Sequence, residues 1–394
     1  MNLGEPNLIG ETRVTATGAA LVAPPAGIDW RWIALLGFGH FAVELGCSYA
    51  LNRTLDATDL GADAVLLYNA VAFWGQVPLG WAADRWSGAR PLALLGAVFL
   101  GAGLFALGPD APWATVALIA LGNGCFHIGG GVLSIRLSRG RVGGLGLFVG
   151  PGAVGLTLGI GLARVDFAAT PWVLGGLVAL GAWPVWRTGR SSLLQDDPAE
   201  PGWLPDRGRA QGRTGRAEAA TYAQADGGSQ RTVLIVALVL ACIAIRSFVG
   251  TGFSFGWGGS AVGALGIAAA LALGKIGGGF LADRFGWLKA TIAVLALSVP
   301  ALWFGQTSMP AGLLGVALFQ APMAVTLGAL VWALPRRPGL AFGVASAIVY
   351  LGGFPLLVGQ IRWLHSFTGL SCLSLVAMVM LAAGLRGRGA RWRS

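Results

Sequence analysis

The sequence predicts an all-α membrane protein with twelve transmembrane helices arranged as two six-helix pseudo-symmetric bundles. Three observations carry that prediction. Of 394 residues, 55% are hydrophobic and only 11% charged, with a mean hydropathy of +0.70, whereas soluble domains carry about 25% charge. Apolar stretches of membrane-crossing length recur twelve times along the chain, each close to the roughly twenty residues that span a hydrocarbon core. The end of the second stretch is echoed by the end of the eighth, so the chain reads as a repeat of six spans.

The spans fall in order near residues 31–54, 62–83, 91–108, 113–135, 143–163 and 171–187, then 232–250, 258–282, 288–306, 310–334, 339–361 and 366–385. Residues 1–30 form an N-terminal cytoplasmic arm with no basic segment leading into an apolar core and cleavage site. Residues 31–187 make the N-terminal bundle and 232–385 the C-terminal bundle. Between them, 188–231 contains QDDPAEPGWLPDRGRAQGRTGR, too charged and too rich in Pro and Gly to bury, and reads as a cytoplasmic linker. A basic cytoplasmic tail, 386–394, closes the chain.

The formal charge of +10 does not point to nucleic acid, because the basic residues lie singly or in short groups between apolar runs. They act as orientation signals. Arg31, Arg85, Arg90, Arg136, Arg139, Arg141, Arg284, Lys289, Arg336, Arg337 and the arginines of linker and tail fall on one side, which is therefore cytoplasmic. Asp56, Asp59, Asp63, Asp110 and Asp166 fall on the other. Most tryptophans sit near span ends, as amphipathic rings at the headgroup level do. The expected place is a cytoplasmic (inner) membrane, multi-pass, with both termini inside. The four cysteines have no paired spacing and lie in apolar segments, so neither a disulfide framework nor a zinc finger is expected.

Glycine is abundant because helices in lipid pack through small residues that admit a close backbone approach. Bends are expected around Gly150, Pro151, Gly152, Gly155 and Gly159 in span five and at Pro322 in span ten.

The repeat is most explicit in GWAADRWSGAR, with Gly80, Asp84 and Arg85, and GGFLADRFGWLK, with Gly279, Asp283 and Arg284. A glycine lets the helix end approach a neighbour, and a carboxylate there can hold an arginine or a helix N-terminus in one conformation and release it in another. On these residues the chain resembles the major facilitator superfamily, whose loop signature is a glycine followed by Asp-Arg and a further basic residue. The second copy is the closer match; the first has Ala82 where leucine is usual and Gly88 one place late. The resemblance implies two bundles rocking about a midplane site, a central cavity lined by spans one, four, seven and ten, and a conformational switch at Gly80, Asp84, Arg85, Gly279, Asp283 and Arg284.

Intramembrane polar residues mark candidate sites independently, since a charge at the bilayer centre costs about 2.5–3.5 kcal/mol on insertion scales. His40 and Glu44 are four apart in span one with Cys47 three further on; Asn123 and His127 are four apart in span four; Cys242 and Arg246 repeat that spacing in span seven. Each set shares one helical face. Glu44, His127 and His40 are the proton-coupling candidates. Arg246 is the natural anchor of an anionic group, because a guanidinium grips a carboxylate or phosphate with two bonds; a permanent Glu44–Arg246 ion pair is the structural alternative. His127 is a candidate in substrate binding as well, beside Asn123, Asn69, Gln76, Gln320 and Tyr350; Gln360 is a further hydrogen-bonding candidate. Lys275 reads as a snorkelling residue near the cytoplasm, outside the substrate site.

These readings predict a secondary transporter that moves a small solute, with preference for an organic anion or amphipathic metabolite, by alternating access and driven by protons. It is expected to need no cofactor, to be no enzyme, to work as a monomer in the bilayer and to bind no nucleic acid. No phosphate-binding G-x-x-x-x-G-K-[ST] loop is present for use of ATP. Two alternatives stand beside it: a soft-metal, copper-like carrier using Cys47, Cys242 and a histidine, and a non-transporting sensor or assembly protein on the same fold.

Overall fold

The computed structural model describes residues 28–106, 111–165, 167–188, 226–354, 363 and 366–386. The expectations that fall on the N-terminal arm to residue 27, on Asp110, Asp166, linker residues 189–225, Gln360 and the tail beyond Arg386 lie outside the described residues. All regular structure among the described residues is helical: α1 Trp30–Ala57, α2 Gly61–Asn69, a π-helical turn Ala70–Trp74, α3 Gln76–Arg85, α4 Ala89–Phe105, α5 Pro112–Ser138, α6 Val142–Ala163 and α7 Thr170–Thr188 come first. They are followed by α8 Asp226–Gly252, α9 Ala261–Phe285, α10 Trp287–Phe304, α11 Met309–Gln320, α12 Met323–Ala333, α13 Pro338–Gly353 and α14 Phe367–Arg386.

Helix ends obey local chemistry. Asp29 accepts the backbone N–H of Trp32 at 3.4 Å and caps α1, and Ser260 accepts that of Gly263 at 3.0 Å to cap α9. Prolines in the first turn open α5, α11 and α13, where no donor is lost. α9 turns into α10 through Gly286 alone, at φ +88°, a left-handed conformation that glycine adopts without steric cost. The corresponding turn of the first half needs three residues and puts Ser87 at φ +51°.

Among the described residues, eight helical segments are long and apolar enough to cross a membrane: α1, α5, α6, α8, α9, α10, α11–α12 taken together and α14. α4 and α13 are shorter apolar helices. Span two is not one α-helix; it is interrupted mid-length by the π-helical turn, a feature that often marks a functional position. Of the expected bends, Pro322 does interrupt span ten between α11 and α12, while α6 continues as helix through Pro151. α8 begins at Asp226, inside the stretch read as linker.

Packing divides the helices. α1 packs on α5, α6 and α7, and α4 on α5 and α7; α8 packs on α12, α13 and α14, α9 on α10, α11 and α12, and α10 on α11 and α14. Two long crossings join the sets, α6 with α9 and α3 with α13. α1 and α5 are enclosed along most of their length, and the side chains they bring together are those the sequence singles out.

Candidate functional site: a buried histidine–glutamate cluster and two aspartate caps

His40, Glu44 and His127 converge. The i, i+4 spacing places His40 and Glu44 on one face of α1 and Asn123 and His127 on one face of α5, and the two faces meet. His40 and His127 are buried and Glu44 nearly so. His40 Nε2 stands 2.8 Å from His127 Nε2. Glu44 Oε1 lies 3.1 Å from His127 Nε2 and 3.7 Å from His40 Nε2, and accepts from Asn123 Nδ2 at 3.4 Å.

The partners of the outer ring nitrogens settle the protonation logic. His40 Nδ1 is 3.0 Å from the carbonyl oxygen of Phe148 on α6, and His127 Nδ1 is 2.9 Å from that of Asn123. A carbonyl oxygen only accepts, so both Nδ1 atoms carry hydrogen and donate. Two neutral imidazoles in those tautomers would then face each other through bare Nε2 lone pairs, with a carboxylate oxygen alongside. One further proton, held between the Nε2 atoms or on His127 toward Glu44, turns this repulsion into a charge-assisted hydrogen bond. The geometry thus leaves one proton position between the two Nε2 atoms, with the Glu44 carboxylate beside it.

The donor set of two imidazoles and a carboxylate also suits a divalent metal. Two nitrogens on one tetrahedral zinc stand about 3.3 Å apart at ordinary bond lengths, so the 2.8 Å separation matches a proton better. Neither Cys47 nor Cys242 belongs to this group. Cys47 Sγ instead donates to the Ile119 carbonyl at 3.4 Å.

The aromatic and glycine neighbours fix the imidazoles. Phe148 stacks on His40 at 5.0 Å between centroids. Gly152 of α6 leaves the space that the ring fills, for a Cβ there would stand 2.5 Å from His40 Cε1.

Arg246 on α8 is buried, at 6% exposure. Its Nη2 donates to the Phe319 carbonyl at 2.7 Å and its guanidinium carbon lies 5.6 Å over the Phe319 ring. Its Nε is buried without a partner. Glu44 is engaged by histidines and Asn123, so the alternative of a Glu44–Arg246 ion pair is not realised. Lys275, read from the sequence as lying outside the site, has its backbone carbonyl at the crossing of α9 on α6, where a Cβ on Gly146 would strike it.

The repeated aspartates make two equivalent latches. Asp84, at the end of α3, accepts the backbone N–H groups of Gly339 and Leu340 at 2.8 Å each, in the first turn of α13. Asp283, near the end of α9, accepts those of Val142 and Gly143 at 2.9 and 2.8 Å, in the first turn of α6. Each carboxylate thus caps a helix from the other half of the chain, where free donors and the helix dipole favour an anion. Glycines permit the approach: a Cβ on Gly80 would collide with the Gly339 carbonyl, and one on Gly279 would lie 2.7 Å from that of Val142. The motif arginines Arg85 and Arg284 are exposed at this end and take no part in the capping.

No family model matches the sequence, and no curated protein matches it. Solved structures do. The E. coli fucose:proton symporter FucP aligns over 90% of this chain and 98% of its own, at TM-score 0.61 and 15% identity. A structure of FucP in the outward conformation, titled a major facilitator superfamily transporter, aligns over 92% and 98% at TM-score 0.62 and 15% identity. The human organic anion transporter MFSD10 aligns over 90% and 99% at TM-score 0.59 and 15% identity. The chain has the major facilitator superfamily fold.

Within the superfamily fold the remaining candidates scatter. Asn69 donates to Val65 of its own helix at 2.8 Å, and Gln76 to Ala72 at 2.6 Å with its Oε1 buried and unpartnered. Tyr350 stacks on Phe73 at 5.9 Å and meets Trp74 edge-on at 6.2 Å. Gln320 follows Phe319, the partner of Arg246, and approaches Gly250 of α8. Sequence reasoning missed the Phe148 carbonyl, because a backbone acceptor leaves no side-chain signature.

Proposed function

We propose that the chain is a proton-coupled secondary transporter of a small organic anion, working by alternating access in a cytoplasmic membrane with both termini inside. In this reading α1–α7 and α8–α14 are two six-span bundles, with α2, the π-helical turn and α3 forming one span and α11–α12 another. The observation that carries it is the cluster of His40, Glu44 and His127. A proton site with bare acceptors in its unloaded form, enclosed between α1 and α5, is costly to keep and suits a carrier that must load and release a proton in each cycle. The two aspartate latches hold the halves together at the end bearing Asp84 and Asp283, which the distribution of basic residues makes cytoplasmic. The conformation is accordingly closed inside and poised outward, and release of both latches is the step that admits the cytoplasm.

Reconstitution tests the reading. Liposomes holding the purified chain and a pH-sensitive dye are exposed to a panel of carboxylates, phosphates and neutral metabolites. At least one anionic solute is expected to drive proton movement that Glu44→Gln abolishes. Solute movement unaffected by Glu44→Gln would remove the coupling role, and no movement of any solute would favour a non-transporting protein on this fold.

A further inference from the structure

His40 Nε2, His127 Nε2 and Glu44 Oε1 close a triangle with edges of 2.8, 3.1 and 3.7 Å. Those edges fix a point inside the triangle about 1.9 Å from all three atoms, close to the zinc bonds of about 2.0–2.1 Å to histidine nitrogen and about 2.0–2.2 Å to carboxylate oxygen. The donors themselves surround that point, so an ion there needs no separate cavity. At rest the imidazole edge has the length of a shared proton; widening it from 2.8 Å toward about 3.3 Å gives the two nitrogens the separation of tetrahedral zinc ligands.

The surroundings are also those of metal-binding imidazoles. Each ring gives its Nδ1–H to a backbone carbonyl, His40 to Phe148 at 3.0 Å and His127 to Asn123 at 2.9 Å. That bond fixes the tautomer and leaves the Nε2 lone pair free for a metal. Asn123 Nδ2 donates to Glu44 Oε1 at 3.4 Å, the kind of outer contact that orients a ligating carboxylate. Two nitrogens and one carboxylate oxygen, with no sulfur, select zinc and its neighbours over copper(I) and over the hard magnesium and calcium ions. Among the described residues no other three such ligands come together.

We propose that His40, Glu44 and His127 form an inhibitory site for a divalent ion of the zinc class, which takes the place of the shared proton and arrests the carrier. The arrest rests on the transporter reading; the binding does not. Ion and proton use the same Nε2 lone pairs, so each excludes the other, and the shared proton leaves to the buffer when the ion binds. A dication in place of one proton leaves the cluster one unit more positive than its loaded form. Three ligand bonds then hold α1 to α5 at the point where the cycle requires the imidazoles to change partners, and water completes the four-coordinate shell. The ion reaches the cluster by the opening that admits the proton.

The test uses the full chain purified in detergent without a polyhistidine tag and stripped with a chelator. Titration calorimetry with zinc chloride is expected to give one ion per chain, and magnesium chloride none. His40→Gln, Glu44→Gln and His127→Gln are each expected to weaken zinc binding about tenfold or more, since even the loss of an outer-shell partner costs about 10–100-fold. His365→Gln, at the remaining histidine of the chain, and the double variant Cys47→Ser with Cys242→Ser are expected to bind as the wild type does. Cobalt(II) bound to the wild-type protein should show the visible absorption of a four-coordinate ion with nitrogen and oxygen donors and no sulfur-to-cobalt charge-transfer band, a measurement that needs no variant to fold. In liposomes, zinc should stop proton-coupled flux, a chelator should restore it and magnesium should leave it unchanged. No zinc bound by the wild type, binding that survives His127→Gln and Glu44→Gln, a sulfur band in the cobalt spectrum, or coupled flux that continues with zinc bound overturns the proposal. A protein that binds zinc through these residues but moves no solute keeps the metal site and loses the transporter reading; proton-coupled flux without zinc binding does the reverse.

Discussion

His40 and His127 face each other through Nε2 atoms 2.8 Å apart while both Nδ1 atoms donate to backbone carbonyls. The arrangement fixes both tautomers and leaves one proton to be shared, with Glu44 3.1 Å from the His127 nitrogen. Replacing the carboxylate by an amide removes the charge that stabilises this proton and places an NH2 group where an acceptor is needed. Glu44→Gln is therefore expected to abolish gradient-driven uptake or efflux while leaving solute exchange at equal pH. Counterflow and gradient-driven flux measured on the same liposomes check this; equal loss of both would make Glu44 a folding or substrate residue instead.

Asp84 and Asp283 are expected to behave as a matched pair. Each caps two backbone donors across the halves, and losing a helix cap costs about 0.5–2 kcal/mol. Asp84→Ala and Asp283→Ala should each shift the population away from the closed end, about tenfold for 1.4 kcal/mol. The double variant should shift it further, because the two crossings share no partners. Spin labels at the exposed positions Arg85 and Arg284 report the separation of this end. Distances unchanged in all three variants would show that the aspartates do not hold it closed.

Much of this was legible in the sequence. Hydropathy located the helices, because crossing lipid leaves few alternatives for a backbone. The four-residue spacings in α1 and α5 placed the right side chains on common faces; that these faces meet each other is decided by packing against α6. The aspartates were legible through the repeat. Which of their two offered partners they take was not, and they take helix N-termini rather than the adjacent arginines. Lys275 shares a register with Ala272 and Gly279, three before and four after it, whose backbone lies on a glycine-permitted crossing with α6. Asn69 and Gln76 each bond the carbonyl one turn back in their own helix, a local option that any polar side chain in a helix has and that spacing alone does not reveal.

Gly152→Ala tests whether the imidazole pair depends on its seat. The added methyl would stand 2.5 Å from His40 Cε1 and 2.6 Å from its Nε2, so the ring must move and the contact with His127 must lengthen. Overpacking of this kind costs about 1–3 kcal/mol. Proton-driven flux should fall steeply while the protein stays folded, whereas Gly161→Ala, where nothing lies within 4 Å, should leave flux unchanged. Proton flux and thermal unfolding measured for both variants decide it, and full activity of Gly152→Ala would show that the His40 position is not required.

The cysteines separate the proton carrier from the soft-metal alternative. Cys47 and Cys242 are both fully buried, and Cys47 Sγ already donates to the Ile119 carbonyl at 3.4 Å. Neither joins the cluster of His40, Glu44 and His127 among the described residues, and small buried cysteines commonly serve in packing. Cys47→Ser keeps a donor for the Ile119 carbonyl, while Cys242→Ser buries a hydroxyl, at a cost of about 1–3 kcal/mol if it is left without a partner. The double variant is accordingly expected to unfold at a somewhat lower temperature and to transport as before. Copper(I) binding by the purified protein, measured against the wild type, gives the complementary reading. Loss of transport together with loss of tight copper binding would move the functional centre from the imidazole pair to the thiols, since no proton cluster requires sulfur at either position.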